Sequence, residues 1–259
     1  MPDPVPDKFV ALAERLADAA GAAIRHHFRT QVPVDAKPDA TPVTIADRDA
    51  ERAMRELLAA QAPDHGVIGE EEGHHNADAE YVWCLDPIDG TKAFITGKPM
   101  FGTLVSLTHR RVPVLGIIDQ PVSRERWLGV AGRGTTFNGA KCATRRCASL
   151  RDALLNATTP DMFEGDDGIA FARLAKSVRH ALYGGDCYAY GLLASGHIDL
   201  VVEAQLKPWD YCALAPIIEG AGGRMVDWQG ESLVLGSDGR VIAAGDPALV
   251  GPAIEALRA

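Results

Sequence analysis

The stretch Asp86-Pro87-Ile88-Asp89-Gly90-Thr91 sets two carboxylates three residues apart at the end of an apolar, β-rich run, Tyr81-Val82-Trp83-Cys84-Leu85. A buried strand of that composition delivers Asp86 to its end, and Pro87, which has no N–H, is expected to stop sheet pairing there. A tight turn then returns Asp89 toward Asp86 and aims the Ile88 carbonyl at the same point. Two carboxylates and a carbonyl are the ligands that a hard cation such as Mg²⁺ takes, with waters completing an octahedron at about 2.0–2.1 Å. A helix is expected to open at Gly90-Thr91. Gly90 permits close backbone approach, and N–H groups at a helix start suit phosphate oxygens. Taken alone, the string also fits an ordinary turn, because Asp, Pro and Gly are turn residues.

Two further segments carry the same chemistry. Gly69-Glu70-Glu71-Glu72-Gly73 by itself reads as a solvated acidic loop. Asp210, in Pro208-Trp209-Asp210, reads by itself as a helix-capping aspartate. Joined to Asp86 and Asp89, Glu70 and Asp210 make four carboxylates from separated segments, which is what a binuclear metal site needs. None of the eight histidines lies in an H-E-x-x-H pair, and the chemistry calls for no nucleophilic Cys or His. The five cysteines are odd in number and contain no C-x-x-C pair, so neither a disulfide framework nor a zinc site is expected. Cys84 and Cys212 lie among apolar residues and read as core thiols.

The elements that must position these groups alternate. Residues 8–28 place Phe9, Leu12, Ala13, Leu16, Ala20, Ala23, Ile24 and Phe28 at helical spacing, and residues 47–61 repeat the pattern through Ala50, Met54, Leu57 and Leu58. Between them, residues 30–43 hold three prolines and read as an extended connector. A short strand or turn is expected at 67–68, and strands at 81–85, 103–108, 112–119, 127–131, 154–158, 198–203, 224–228 and 241–244. Helices are expected at 168–180, 188–195, 209–219 and from about 246. The alternation in the C-terminal half indicates a layered α/β architecture. A chain of 259 residues is expected to be a single catalytic unit, 1–259. Its halves are 1–131, with most of the metal ligands, and 132–259, with Asp210 and a substrate pocket, divided near the Gly-rich stretch 132–139.

A net charge of −9 disfavours a nucleic-acid-binding module, since an acidic surface repels phosphate backbones. It leaves room for a small phosphorylated substrate, because bound cations invert the local field. Gly132-Arg133-Gly134 lacks the third glycine of a dinucleotide fingerprint, and Arg145-Arg146 is too little for a nucleic-acid patch. The N-terminus, MPDPVPDKFV, has no basic region followed by an apolar run, and no apolar stretch is long enough to span a bilayer. A cytoplasmic protein with no membrane partner is the expectation.

The order and spacing of Gly69-Glu70-Glu71, Asp86-Pro87-Ile88-Asp89-Gly90-Thr91, Trp209-Asp210-Tyr211-Cys212-Ala213 and Glu219-Gly220-Ala221-Gly222-Gly223 resemble the inositol monophosphatase family over nearly the whole chain. The resemblance implies a layered αβαβα sandwich, a homodimer, and hydrolysis of a small phosphate monoester with two or three Mg²⁺ ions. It implies that Glu70, Asp86 and the Ile88 carbonyl hold one ion and that Asp86, Asp89 and Asp210 hold a second. Thr91 with Glu70 would position and activate the attacking water, and Asp47 would support the Thr91 hydroxyl. From the residues alone, Asp47 in Thr44-Ile45-Ala46-Asp47 reads as an exposed residue of a helix's first turn. Phosphate and substrate contacts would come from Ile88, Asp89, Gly90, Thr91, Gly185, Asp186, Glu203 and Asp210.

The alcohol end of the substrate rests on Gly184-Gly185-Asp186-Cys187-Tyr188 and on Glu203. Family members that act on inositol phosphates tend to have a small neutral residue where Asp186 stands. Asp186 paired with Glu203 across the pocket would suit a cationic alcohol better than a neutral polyol. Together with Asn156–Phe163 and Phe94–Leu107, this segment is most like the histidinol-phosphatase branch of the family, which implies histidinol phosphate as substrate and a place in histidine biosynthesis. Alternatives are that Asp186 merely caps a helix, that the substrate is inositol-1-phosphate or a 3′(2′),5′-bisphosphonucleotide, or that the fold serves as a non-enzymatic binding partner. A purely structural role would not require Glu70, Asp86, Asp89, Thr91 and Asp210 together.

Overall fold

The computed structural model describes residues 5–31, 33–36 and 42–258. The first part of the chain runs α1 (Asp7–His27), β1 (Val34–Ala36), β2 (Pro42–Thr44), α2 (Ile45–Gln61), β3 (Gly66–Gly69), β4 (His74–His75), β5 (Tyr81–Asp89), α3 (Thr91–Ile95), β6 (Gly102–His109), β7 (Val112–Gln120), β8 (Glu125–Val130), β9 (Gly134–Phe137) and β10 (Ala140–Lys141). The second part runs β11 (Leu154–Ala157), α4 (Asp166–Ser177), β12 (His180–Tyr183), α5 (Asp186–Ala194), β13 (Leu200–Glu203), α6 (Pro208–Gly220), β14 (Arg224–Val226), β15 (Val241–Ala244) and α7 (Val250–Arg258).

Strands β3 to β10 form one eight-stranded sheet in the order β10-β9-β8-β7-β6-β5-β3-β4, and a second sheet of five runs β12-β11-β13-β15-β14. Helices α1 and α2 pack on the outer face of the first sheet, α5 and α6 lie between the sheets, and α4 and α7 cover the second. The result is the five-layer αβαβα sandwich that the resemblance implies. Three apolar cores fill the sandwich: one between α1, α2 and the first sheet, one around α5 and α6 between the two sheets, and one between the second sheet and α4 and α7. The sequence pattern follows the layers. α1 and α2 bury one stripe, whereas α6, sandwiched between two sheets, buries every residue from Tyr211 to Ile218.

Several expectations are corrected. Pro87 does not end pairing: β5 runs on to Asp89, which pairs with Gly102 after a register shift between Asp86 and Asp89. Proline is tolerated in such a bulge, and bulges re-aim side chains. The first sheet extends through β10, past the expected 131/132 division, which falls between the paired strands β8 and β9. The helix read over 168–180 stops at Ser177, and His180–Tyr183 forms β12. As an edge strand with Leu182 and Tyr183 exposed, β12 offers no burial pattern to read. Part of the expected connector 30–43 lies outside the described residues. Within it, Val34–Ala36 pairs with Pro42–Thr44 as a short hairpin.

Candidate active site

The bulge in β5 is held from three sides. The Asp86 carboxylate accepts from the Ile88 N–H (2.9 Å), Thr103 donates its hydroxyl to the Pro87 carbonyl (2.8 Å), and the Thr91 hydroxyl lies 3.1 Å from the Ile88 carbonyl. Gly90 then takes a left-handed conformation (φ 89°) and caps the short helix α3. An L-residue would resist that turn.

Across the sheet junction, Asp210 sits in the first turn of α6, with one carboxylate oxygen accepting from the Lys207 N–H (2.7 Å). The helix-start reading of this aspartate and its role in the site are therefore compatible. Asp86, Asp89 and Asp210 bring carboxylate oxygens within 4.8 Å of one another. Glu70, whose own N–H bonds the Leu85 carbonyl (3.2 Å), adds its charge to Asp86 and to Asp210. A cavity of about 220 Å³ is lined by Glu70, Asp86, Ile88, Asp89, Gly90, Thr91 and Asp210, together with Gln205, Lys207 and Trp209.

Crowding like charges away from water has a cost that the acid constants record. Burial pushes Asp86 and Asp89 well above the usual carboxylate range. The charges of Glu70, Asp89 and Asp210 add to the shift at Asp86, and those of Asp186 and Asp210 add to it at Asp89. Burial likewise lifts Asp210 to about 7, against the hydrogen bond from Lys207. An all-oxygen donor set whose negative charges crowd one another is what a bound divalent cation relieves, so these residues fit Mg²⁺.

Asp47 is a correction to the reading from residues alone: it is 1% exposed, not a surface residue. One of its oxygens accepts from the Thr44 N–H (2.8 Å) and the Thr44 hydroxyl (2.6 Å), and the other lies 3.5 Å from the Thr91 hydroxyl. The Thr44 side chain in turn caps α2, accepting from the Ala46 N–H (3.1 Å).

The alcohol side is arranged differently from the expectation. Gly185, Asp186 and Glu203 do not line the cavity. Asp186 borders it, so close to Gly90 that a Cβ there would come within 3.0 Å of the Asp186 carboxyl carbon. It does not cap α5 with its side chain, since the cap residue is Gly185. Glu203 does not face Asp186 across an open pocket. It is 3% exposed, and its two oxygens accept from the Thr158 N–H (2.8 Å) and the Tyr190 hydroxyl (2.9 Å). Its charge still reaches forward. Burial and then Glu203 push Asp186 up to about 7, with Lys92 acting in the opposite direction.

Gln205 and Lys207 were missed by sequence reasoning. Both belong to the loop between β13 and α6, where Gln205 is left-handed (φ 66°) and donates its amide to the Met162 carbonyl (2.9 Å). Their place between Glu203 and Asp210 was the available signal, because loops after strand ends build sites in α/β folds.

A model of the inositol monophosphatase family matches residues 6–259. The chain belongs to the inositol monophosphatase family. Members of this family are phosphatases of phosphate monoesters and generally depend on Mg²⁺. Within it, the chain is 47% identical to the chloroplastic bifunctional phosphatase of Arabidopsis thaliana, across 97% of this chain and 75% of that one. It is 35% identical to the histidinol-phosphatase of Mycobacterium tuberculosis, across 86% of this chain and 88% of that one. An inositol monophosphatase from Zymomonas mobilis superposes with a TM-score of 0.90 at 49% identity, covering 98% of both chains. Among the described residues, no helix is long and apolar enough to cross a membrane.

Proposed function

We propose that this phosphatase hydrolyses histidinol phosphate to histidinol and phosphate, with two or three Mg²⁺ ions held by Glu70, Asp86, the Ile88 carbonyl, Asp89 and Asp210. The observation that carries the choice of substrate is the Asp186 carboxylate lying against Gly90, with the buried Glu203 charge behind it. Burial disfavours the charged form of Asp186 and of Glu203, and a cationic alcohol beside the phosphate-binding turn would restore it, which favours an ammonium or imidazolium group over a neutral polyol. Similarity to proteins named histidinol-phosphatase supports the same choice.

Mg²⁺, when bound, lowers the pKa of water and stabilises the leaving oxygen of an in-line displacement. The protein's own groups supply the rest. The Thr91 hydroxyl, which donates to the Ile88 carbonyl (3.1 Å) with Asp47 alongside at 3.5 Å, keeps a lone pair to accept from the attacking water. Glu70 takes the proton that this water loses. The N–H groups of Gly90 and Thr91 meet the equatorial phosphate oxygens, where charge grows in the transition state. Asp186 holds the cationic end of the alcohol. Assembly as a homodimer is part of this reading and is checked by the mass in solution.

The test is phosphate release with Mg²⁺ from histidinol phosphate, inositol-1-phosphate and a 3′,5′-bisphosphonucleotide at matched concentrations. A large preference for histidinol phosphate is expected. A preference for inositol-1-phosphate would keep the metal chemistry and remove the role given to Asp186.

A further inference from the structure

Helix α2 carries Asp47, Glu51 and Arg55 at successive four-residue steps, so all three lie along one face. Asp47 reaches the Thr91 hydroxyl, and Glu51 serves a different part of the site. It is 0% exposed, and its carboxylate accepts from the N–H groups of Glu71 (2.8 Å) and Glu72 (3.0 Å) and from Arg55 Nε (2.7 Å). Arg55 extends the clamp by donating to the Gly73 carbonyl, which also accepts from the Gly69 N–H (3.0 Å). At Gly69 the fit is tight enough that any side chain would collide with the Glu51 carboxylate. The loop 69–73, whose second residue is Glu70, is thus closed on itself and pinned from beneath by one buried carboxylate.

Burying a charge is costly, and a buried ion pair is poor evidence of a gain in stability, since apolar residues of similar size often serve as well. A carboxylate can do what an apolar residue cannot, which is to gather two N–H groups of an irregular loop and hold its geometry. We propose that Glu51 is a positioning residue for Glu70 and thereby sets the affinity of the site for its divalent cation. This inference rests on the reading of Glu70 as a metal ligand. Through α2, the same helix fixes the Glu70 loop by Glu51 and the Thr91 hydroxyl by Asp47.

The probe is Mn²⁺, whose free concentration is read by electron paramagnetic resonance with no substrate present. Glu51→Gln is expected to weaken Mn²⁺ binding by about 10–100-fold, the usual effect of removing a group that orients a metal ligand. Its half-saturating Mg²⁺ concentration in turnover should rise by the same factor, with a circular-dichroism spectrum and a metal-free Tm near those of the parent. Weaker Mn²⁺ binding that merely follows a loss of folded protein in those two measurements would overturn the proposal. Asp47→Asn provides the contrast, with kcat reduced and Mn²⁺ affinity unchanged. Should Glu51→Gln fail to fold, Arg55→Gln, at a more exposed position, is expected to shift Mn²⁺ affinity in the same direction by less, and an unchanged affinity there would overturn the proposal. Asp86→Asn separates the two readings. If it abolishes Mn²⁺ binding while Glu51→Gln binds normally, the metal site stands and the role of Glu51 falls. If neither loses Mn²⁺, the metal reading itself falls.

Discussion

The two sides of the cavity are built in contrasting ways. On the proposed metal side, residues 69–91 lie on one sheet and its immediate turns and are fastened to their surroundings: the Thr103 hydroxyl donates to the Pro87 carbonyl, and the N–H groups of Glu71 and Glu72 donate to Glu51, while Thr44 donates to the neighbouring Asp47. On the proposed alcohol side, Asp186 opens a helix after the left-handed Gly184 and Gly185 and is itself left-handed, and Glu203 comes from a strand of the second sheet. Asp210, on a helix between the sheets, and Asp89, whose carboxylate accepts from the Cys187 N–H, join the two sides. The crowded carboxylates are thus held chiefly by the first sheet and its turns, while Asp186 and Glu203 come from the second part of the chain and meet that set where the Cys187 N–H bonds Asp89.

Removing a ligand should produce the largest effect. Asp86→Asn is expected to lower hydrolysis of every phosphate ester by at least ~10³-fold, as the loss of a central electrostatic partner does, with an unchanged circular-dichroism spectrum. Turnover near that of the parent at limiting Mg²⁺ would break the metal side of the comparison. A positioning defect should be next. Asp47→Asn is expected to reduce kcat about 10²-fold by letting the Thr91 hydroxyl drift, with similar losses on charged and neutral substrates. A loss confined to one substrate would move Asp47 to the alcohol side.

The smallest expected effect is on stability. In the metal-free protein Asp186 and Asp210 are raised to about 7, whereas unfolded aspartate titrates near 3.8. Between those values the native state binds more protons than the unfolded state, so the contribution of these two groups is fully present below the unfolded value and is lost as pH rises through 7. The Tm of metal-free protein should therefore drop by several degrees from pH 5 to pH 8, and Mg²⁺ should restore it at pH 8 by binding the native state. A Tm that rises over this range without metal would contradict the crowding of the carboxylates.

The contrast between the two sides also explains what could be read from the chain. Asp86, Ile88, Asp89, Gly90 and Thr91 were legible because a single turn carries them, so their spacing is their geometry. The apolar stripes of α1 and α2 were legible because each packs on one face. Asp47 was misread because its burial depends on α3 and the β5 bulge coming to rest above it, which four residues of local sequence do not encode. Glu51 passed unnoticed for the same reason: its partners lie twenty residues on. Glu203 was recognised, but its place behind the wall follows from Thr158 and Tyr190, which belong to other elements. Edge strand β12, with no buried alternation, left no periodic signal.

In the reading proposed above, Asp186 turns a phosphate-ester site shared by a family toward a cationic alcohol. The most direct test of that reading is the ratio of kcat/KM for histidinol phosphate to that for inositol-1-phosphate, measured in the parent and in Asp186→Asn. Loss of one charge-assisted contact of about 1.5–3 kcal/mol predicts a fall in that ratio of roughly 10–150-fold, with the inositol-1-phosphate value little changed. An equal change on both substrates, or an unchanged ratio, would contradict the account.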